Sequence, residues 1–390
     1  MRHGILIHLP PAGTKFGDRY HHCELALAEG LQAHGIPVYG THAYWRDHPA
    51  ADFTVPLAPE GFIPDVHIHT AYDLSTGLPP DESFRLPGLH VVLDWNDGEG
   101  TWLAGPHAGA ADLILRSHFR NDLGYRKNVR PWAFGLTNRL ITALTVWPSA
   151  TPAPSINWNF RHDHNLRRLV RRRLPPGLLS HYPLANRTDP QDPSDEWLQQ
   201  QTCGRHHSNY FQALHTHRIT AAFGGNFRLR GSIAQSLTGK VTRRARQEIV
   251  NLQLHFRRQT TYDTWLDFVE AHSKTYQVFQ TDSWRWWESL LSASVPLHLD
   301  LESHGWTLPV MPVNGVHYIG LRNWDYESLT HAIVSREAPS YVTLAAAGRA
   351  WALEHYSPAS CASRFLNWMG IRVPAEPHQP TSCAPAPTHS

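Results

Sequence analysis

Cysteine and charge are both scarce in this chain of 390 residues. Its four cysteines, Cys23, Cys203, Cys361 and Cys383, are scattered and include no Cys-x-x-Cys pair. That argues against a disulfide framework or a zinc ribbon and for a reducing compartment. Charged residues make up 17%, and the net charge is +2 with histidine neutral. This is mildly basic, short of what a dedicated nucleic-acid binder carries. No apolar run approaches a membrane span. The apolar run in MRHGILIHLPPAG is too short for a signal peptide and reads as a first strand. Together these absences lead to a cytoplasmic expectation. The Gly13-Thr14-Lys15-Phe16-Gly17 loop lacks the Gly-Lys-Ser/Thr ending of a phosphate-binding loop. No His-Glu-x-x-His motif accompanies the many histidines, so neither a metal nor a cofactor is expected. No repeat of fixed period is visible.

What is present is 41% hydrophobic residues, 15 Trp and 28 His. Real cores are possible, aromatic packing or ring-stacking surfaces are favoured, and the histidines add charge below neutral pH. In the first half, short apolar runs alternate with helical patterns. Strands are expected at Ile5–Leu9, Val38–Tyr44, Pro64–Thr70, Leu89–Trp95, Ala111–Ser117 and Trp132–Gly135. A helix is expected at about Arg19–His34, ended by Gly35. This alternation predicts an α/β fold with a parallel sheet, whose ligands sit beyond the carboxyl ends of the strands. Asp18, His21, Asp94 and Asp97 lie there as candidate proton acceptors, although Asp18 also fits a helix cap and Asp94 and Asp97 a turn. His67 and His69 share one face of their strand.

A Pro-rich stretch marks a boundary, dividing the chain into domains 1–147 and 155–337 with a linker at 148–154. Helices over 338–373 and a disordered Pro/Ser/Thr/Ala tail at 374–390 follow. The second half opens with a strand at Ser155–Phe160 and a basic helix carrying Arg167, Arg168, Arg171, Arg172 and Arg173. Next come a helix at Tyr210–His217 and a strand at Ile219–Phe223. That strand runs into Gly224-Gly225, where a backbone can approach a ligand closely or turn tightly. Helical stripes over 241–256 and from Trp265, and a strand at Tyr276–Phe279, lead to the most informative segment.

That segment is TDSWRWWESLLSASVPLHLDLESHGWTLPV, residues 281–310. Asp282 or Ser283 can cap a helix whose first N–H groups would then face an anion. Trp284, Trp287 and Leu291 form an apolar stripe for packing against a sheet. Arg285 and Glu288, three apart, share another part of the surface. An arginine can hold phosphate, and a carboxylate can accept two hydrogen bonds from a ribose diol. Ser283, Arg285, Glu288, Val295 and Pro296, followed by Gly305, Trp306 and Pro309, resemble the Ser-x-Arg-x-x-Glu…Val-Pro…Gly-Trp-x-x-Pro pattern of exostosin-like glycosyltransferases of the GT-B class. The resemblance is tight over about thirty residues. One departure is Ala293-Ser294 where the family has Gly-Cys.

The resemblance implies two Rossmann-like domains facing across a cleft, with the last helices packing back across it. It implies transfer of a sugar from a nucleotide-diphosphate sugar to an unknown acceptor hydroxyl, by inversion, with basic side chains in place of a metal. Donor-binding residues would be Glu288, Arg285, Ser283, Asp282, Arg167, Gly224 and Gly225. Arg167, with His164, resembles the His-x-x-Arg of related proteins. Asp18 or Asp94 would be the catalytic base. Many animal exostosins are membrane-anchored, and no such anchor is read here. The alternatives are a nucleic-acid-binding protein, a glycosyltransferase acting on modified bases in DNA, and a nucleotide-sugar epimerase on the same fold.

Overall fold

A computed structural model describes residues 4–10, 21–44, 55–70, 83–95, 107–147, 151–158, 165–181, 184–185, 206, 208–229, 276–279 and 282–371. The first half contains β1 (Ile5–Ile7), α1 (His22–Ala33), β2 (Val38–Gly40), β3 (Val66–Thr70), β4 (Leu89–Asp94), α2 (His107–Ala110), β5 (Leu113–Arg116), β6 (Val129–Pro131) and α3 (Asn138–Ala143). These strands form one parallel sheet in the order β2-β1-β3-β4-β5-β6. The second half contains β7 (Ala153–Asn157), α4 (Asn165–Arg173), α5 (Pro176–His181), β8 (Leu184–Ala185), α6 (Ser208–Thr216), β9 (His217–Ala221), β10 (Asn226–Leu229), β11 (Tyr276–Phe279), α7 (Trp284–Leu291), β12 (Val295–Leu299), β13 (Ile319–Leu321), α8 (Tyr326–Val334), α9 (Ala338–Tyr356) and α10 (Pro358–Trp368). Its parallel sheet runs β13-β12-β9-β7-β8. The protein is therefore mixed α/β with two parallel sheets.

The sequence accounts for most of these elements. β1 and β12 are short, largely apolar runs, as strands buried on both faces should be, whereas β3 is buried throughout although it carries His67, His69 and Thr70. Helix α1 stops at Gly35, whose φ of +72° suits glycine best. Asp325 caps α8 through Ser328 N at 2.9 Å. Helix α10 lies on α1, and Gly30 permits it: a Cβ there would sit 1.9 Å from the Pro358 carbonyl oxygen.

Several expectations need correction. The strand placed at Trp132–Gly135 forms earlier, at Val129–Pro131, because Trp132, Ala133 and Phe134 are drawn into the core instead. β7 begins at Ala153, inside the stretch expected to be a linker. The strand expected at Tyr276–Phe279 forms with those bounds as β11, and it pairs antiparallel with β10 in a separate two-stranded ribbon. The stripe Trp284–Trp287–Leu291 does not face a sheet as one surface: Trp287 lies 4.6 Å from the Tyr356 ring of α9, and Trp284 lies 5.1 Å from the His22 ring of α1. The residue that meets the sheet is Trp286, 5.0 Å from the His298 ring of β12. The helices expected over 241–256 and from Trp265, and the tail, lie outside the described residues. Among the described residues no helix is long and apolar enough to cross a membrane.

Packing joins the halves. One apolar cluster runs from the first sheet through α1 to Trp286, Trp287, Leu290 and Leu291 of α7, and on to α9 and α10. Backbone hydrogen bonds reinforce it: Asn121 N donates to Gly305 O at 3.0 Å and Thr307 N to Phe119 O at 3.0 Å. Gly305, at φ +76°, and buried Trp306 thus serve the seam between the halves.

Candidate functional site

In a parallel sheet, the crevice for a ligand opens where neighbouring strands send their connections in opposite directions. In the second sheet β7 lies between β8 and β9, so that point falls at the carboxyl ends of β7 and β9. Just past β9, Phe223 is followed by Gly224 and Gly225, the latter at φ +104°. Arg167, in the first turn of α4, donates from Nε to the Phe223 carbonyl at 2.7 Å. Burial, and then the neighbouring charge of Arg285, lower its pKa to about 9. Two cationic side chains on this side of the sheet suit an anion.

Arg285 also lies over the Tyr210 ring, 5.3 Å from its centroid. That ring leads to Glu288, which is buried with both oxygens engaged. Oε1 meets His206 Nε2 at 2.6 Å, and Oε2 accepts a short bond from the Tyr210 hydroxyl. His206 Nδ1 faces Arg139 at 3.1 Å. Arginine can only donate, so Nδ1 accepts and the imidazole is neutral with its proton on Nε2. Burial pushes the Glu288 carboxyl up, but His206, Arg285 and Tyr210 outweigh it and hold it below the usual range. A ribose diol can reach Glu288 only by sharing or replacing these bonds.

The start of α7 differs from the simple cap expected. Ser283 is the capping residue, with extended backbone, and its side chain makes no cap bond. Asp282 turns away from the helix end. It accepts from Phe134 N at 2.7 Å and from Trp287 Nε1 at 2.6 Å. It thereby ties the second half to the first.

The structure thus brings Arg167, Arg285, Glu288 and the Gly224-Gly225 turn to one edge of the second sheet, and sets Asp282 at the seam. Asp94 is fully buried in an ion pair with Arg116, which occupies it where a free base was expected. His21 is buried at the start of α1 against Tyr44, 5.3 Å between rings. Asp18, Asp97 and His164 lie outside the described residues. Sequence reasoning gave His206, Tyr210 and Arg139 no role in the site. His206 lies in a histidine-rich stretch with His207, His215 and His217, and nothing local marks Arg139, which arrives from the other half.

The paired histidines of β3 have a different role. Their shared face gathers His8 and His90 as well. His67 Nε2 must donate to the Pro87 carbonyl at 3.1 Å, so its Nδ1 accepts from His8 Nε2 at 3.0 Å. Likewise His90 Nε2 donates to Leu86 O at 3.0 Å, and its Nδ1 accepts from His69 Nε2 at 3.1 Å. The rings stack, His8 on His69 at 4.2 Å and His67 on His90 at 4.8 Å. Burial and the neighbouring imidazoles lower the pKa of His8 to about 3 and of His69 to about 2. Among the described residues no group of three or more His, Cys, Asp or Glu is arranged to hold a metal ion.

No protein-family pattern and no curated protein matches the chain. Solved structures that align with it include TarM of S. aureus, at 9% identity and TM-score 0.40, covering 79% of this chain and 56% of TarM. HepE of Anabaena in complex with UDP aligns at 12% identity and TM-score 0.46, over 94% of this chain and 99% of HepE. The GtfA/B complex aligns at 8% identity and TM-score 0.38, over 78% of this chain and 56% of that one. The chain thus spans a little over half of TarM. With scores this low, the functional reading rests on the side chains described above.

Proposed function

We propose that this chain is a glycosyltransferase of the GT-B kind, exostosin-like in its donor half, which moves a sugar from a nucleoside-diphosphate donor to an acceptor hydroxyl. The observation that carries this reading is the meeting of Arg167 and Arg285 beside the Phe223 carbonyl and the Gly224-Gly225 turn, at the ligand-binding end of the second sheet. Two cations held together there are suited to the charge that grows on a departing diphosphate. Glu288, next to Arg285, is placed to read the ribose, and the uncapped start of α7 adds N–H groups facing negative charge. Basic side chains replace a metal ion in this scheme, and the displacement is direct, with inversion at the anomeric carbon. The buried free thiols Cys23 and Cys361 agree with a reducing, cytoplasmic setting.

A thermal-shift screen against nucleoside diphosphates and their sugars tests the reading, because a ligand of the native state raises the melting temperature. One nucleotide and its sugars should stabilise the wild type, and Arg285→Ala should remove the effect. A panel with no stabilising member would sink the reading.

A further inference from the structure

Glu288 is 3% exposed, yet its carboxylate accepts fewer hydrogen bonds than it could. Burial works against its charge, and His206, Arg285 and Tyr210 overcome it, so the side chain is the acceptor-only form. An ionised carboxylate offers about four lone-pair positions. His206 Nε2 takes one on Oε1 at 2.6 Å, and the Tyr210 hydroxyl takes one on Oε2. A position is left on each oxygen. Acceptors side by side on one carboxylate match the hydroxyls of a vicinal diol. The donors are themselves firmly held. His206 has no exposed surface, and its ring lies parallel to that of Tyr210, with 8° between the planes and 6.2 Å between centroids. Arg139 of α3 lies against the other side of the imidazole, 3.1 Å from Nδ1. Tyr210 stands in the first turn of α6, beside buried Phe211 and Leu214. Along α7, residues 286–291 are buried, whereas Ser283, Trp284 and Arg285 keep some exposed surface. The approach to Glu288 is therefore from the helix start, past Arg285, whose guanidinium lies 5.3 Å from the centroid of the Tyr210 ring.

We propose that His206 and Tyr210 are positioning residues for Glu288: each occupies a lone pair on one oxygen, and together they aim the remaining pairs at the 2′- and 3′-hydroxyls of the donor's ribose. This rests on the glycosyl-transfer reading. It adds a substrate class to that reading. A site framed in this way takes ribonucleoside-diphosphate sugars and turns away their 2′-deoxy counterparts. The reason is the cost of a bond left unmade. Deoxyribose presents a single hydroxyl, so one oxygen of a buried carboxylate gains nothing for the water it gives up. A loosely held carboxylate would turn to meet whichever hydroxyl is offered. One pinned at both oxygens does not. A neutral imidazole suits the role, because its Nδ1 accepts from Arg139 while its Nε2 donates to Glu288. Order in the frame therefore passes from α3 of the first half, through one imidazole, to a carboxylate of the second. Arg285, one helical turn before Glu288, serves the diphosphate end of the same donor.

The test uses the full chain and titration calorimetry with UDP, GDP, ADP and CDP, each against its 2′-deoxy counterpart. For whichever of these binds best, the wild type should prefer the ribonucleotide by about thirtyfold, the worth of one hydrogen bond to a charged group. Tyr210→Phe keeps the ring beneath Arg285 and removes only the hydroxyl. It should bring that preference below about fivefold, by weakening the ribonucleotide while the 2′-deoxy affinity moves by less than about threefold. His206→Leu should do the same. His206→Gln, which has a donor and an acceptor of its own, should restore about half of the preference or more. Tyr210→Phe decides the matter if His206→Leu does not fold. A wild type that binds a nucleotide with no preference for ribose overturns the proposal. So does full preference in Tyr210→Phe, or an equal loss of both affinities, which marks a merely structural role. Failure of the underlying reading looks different: none of these nucleotides then binds the wild type at all, and the proposal falls with it.

Discussion

The histidine quartet on the first sheet and the arginine pair on the second are both buried polar clusters, built in opposite ways. In the quartet every imidazole is matched, donor to acceptor, down to the carbonyls of Leu86 and Pro87. No charge is left over, and nothing there calls for a ligand. In the other pair the charge of Arg285 acts against that of Arg167, and two indole N–H groups on the seam, those of Trp286 and Trp306, have no acceptor among the described residues. The difference separates polar groups that hold a fold from charges gathered where an anion would be held. Density of histidine or arginine alone does not make that distinction. Satisfaction of the hydrogen bonds does.

The largest expected effect concerns the satisfied cluster. His8 and His69 have native pKa values near 3 and 2, against 6.5 for the free side chain. The unfolded chain therefore binds their protons first. Their contribution is full above about pH 6.5 and is lost as pH falls below it, by about 1.4 kcal/mol per pH unit for each, or about 3 for the pair. His22 and His304, both lowered to about 4, add similar slopes, so urea unfolding at pH 7, 6 and 5 should show at least that loss, with His69→Leu removing about 1.4 kcal/mol per pH unit of it. A flat profile would break the comparison.

Glu288 tests the boundary between the two kinds. Its bonds to His206 and Tyr210 place it with the satisfied groups, so Glu288→Ala should cost about 3 kcal/mol of stability as well as donor affinity. A stability unchanged in urea would move Glu288 to the ligand-awaiting kind. Arg167→Gln should do the reverse. Stability should change by less than about 1 kcal/mol, since a repulsion and one hydrogen bond are lost together. Nucleotide affinity by calorimetry should fall about thirtyfold, which is about 2 kcal/mol. The smallest effect belongs to the seam. Gly305→Ala places a Cβ 3.2 Å from the Arg120 guanidinium at a positive φ, and should lower the melting temperature by the equivalent of about 1 kcal/mol.

The parallel α/β architecture was legible because most of its strands are short, largely apolar and bounded by turn residues, as Val295–Leu299 and Ile5–Ile7 show. The helix of Arg285 and Glu288 was legible for a similar reason: capping residue, period and charge spacing all fall within eight residues. Other features were not. Asp282 has the composition of a cap, yet it serves Phe134, which lies 148 residues away in sequence. His206 acquires its role from Arg139 and Glu288, one from each half of the chain. Trp132–Phe134 reads as a strand by β-propensity, but burial in the seam outweighs that preference. Local pattern reports elements, whereas the meeting of two halves depends on contacts with no local signature.

The backbone pairing of Phe119 and Asn121 with Gly305 and Thr307 has a mechanical consequence. Helix α10, seated on α1 through Gly30, fastens the halves at a second place. With the Asp282–Phe134 bond and the shared apolar cluster between them, the halves can part only by exposing core, so the width of the gap between them is set by folding.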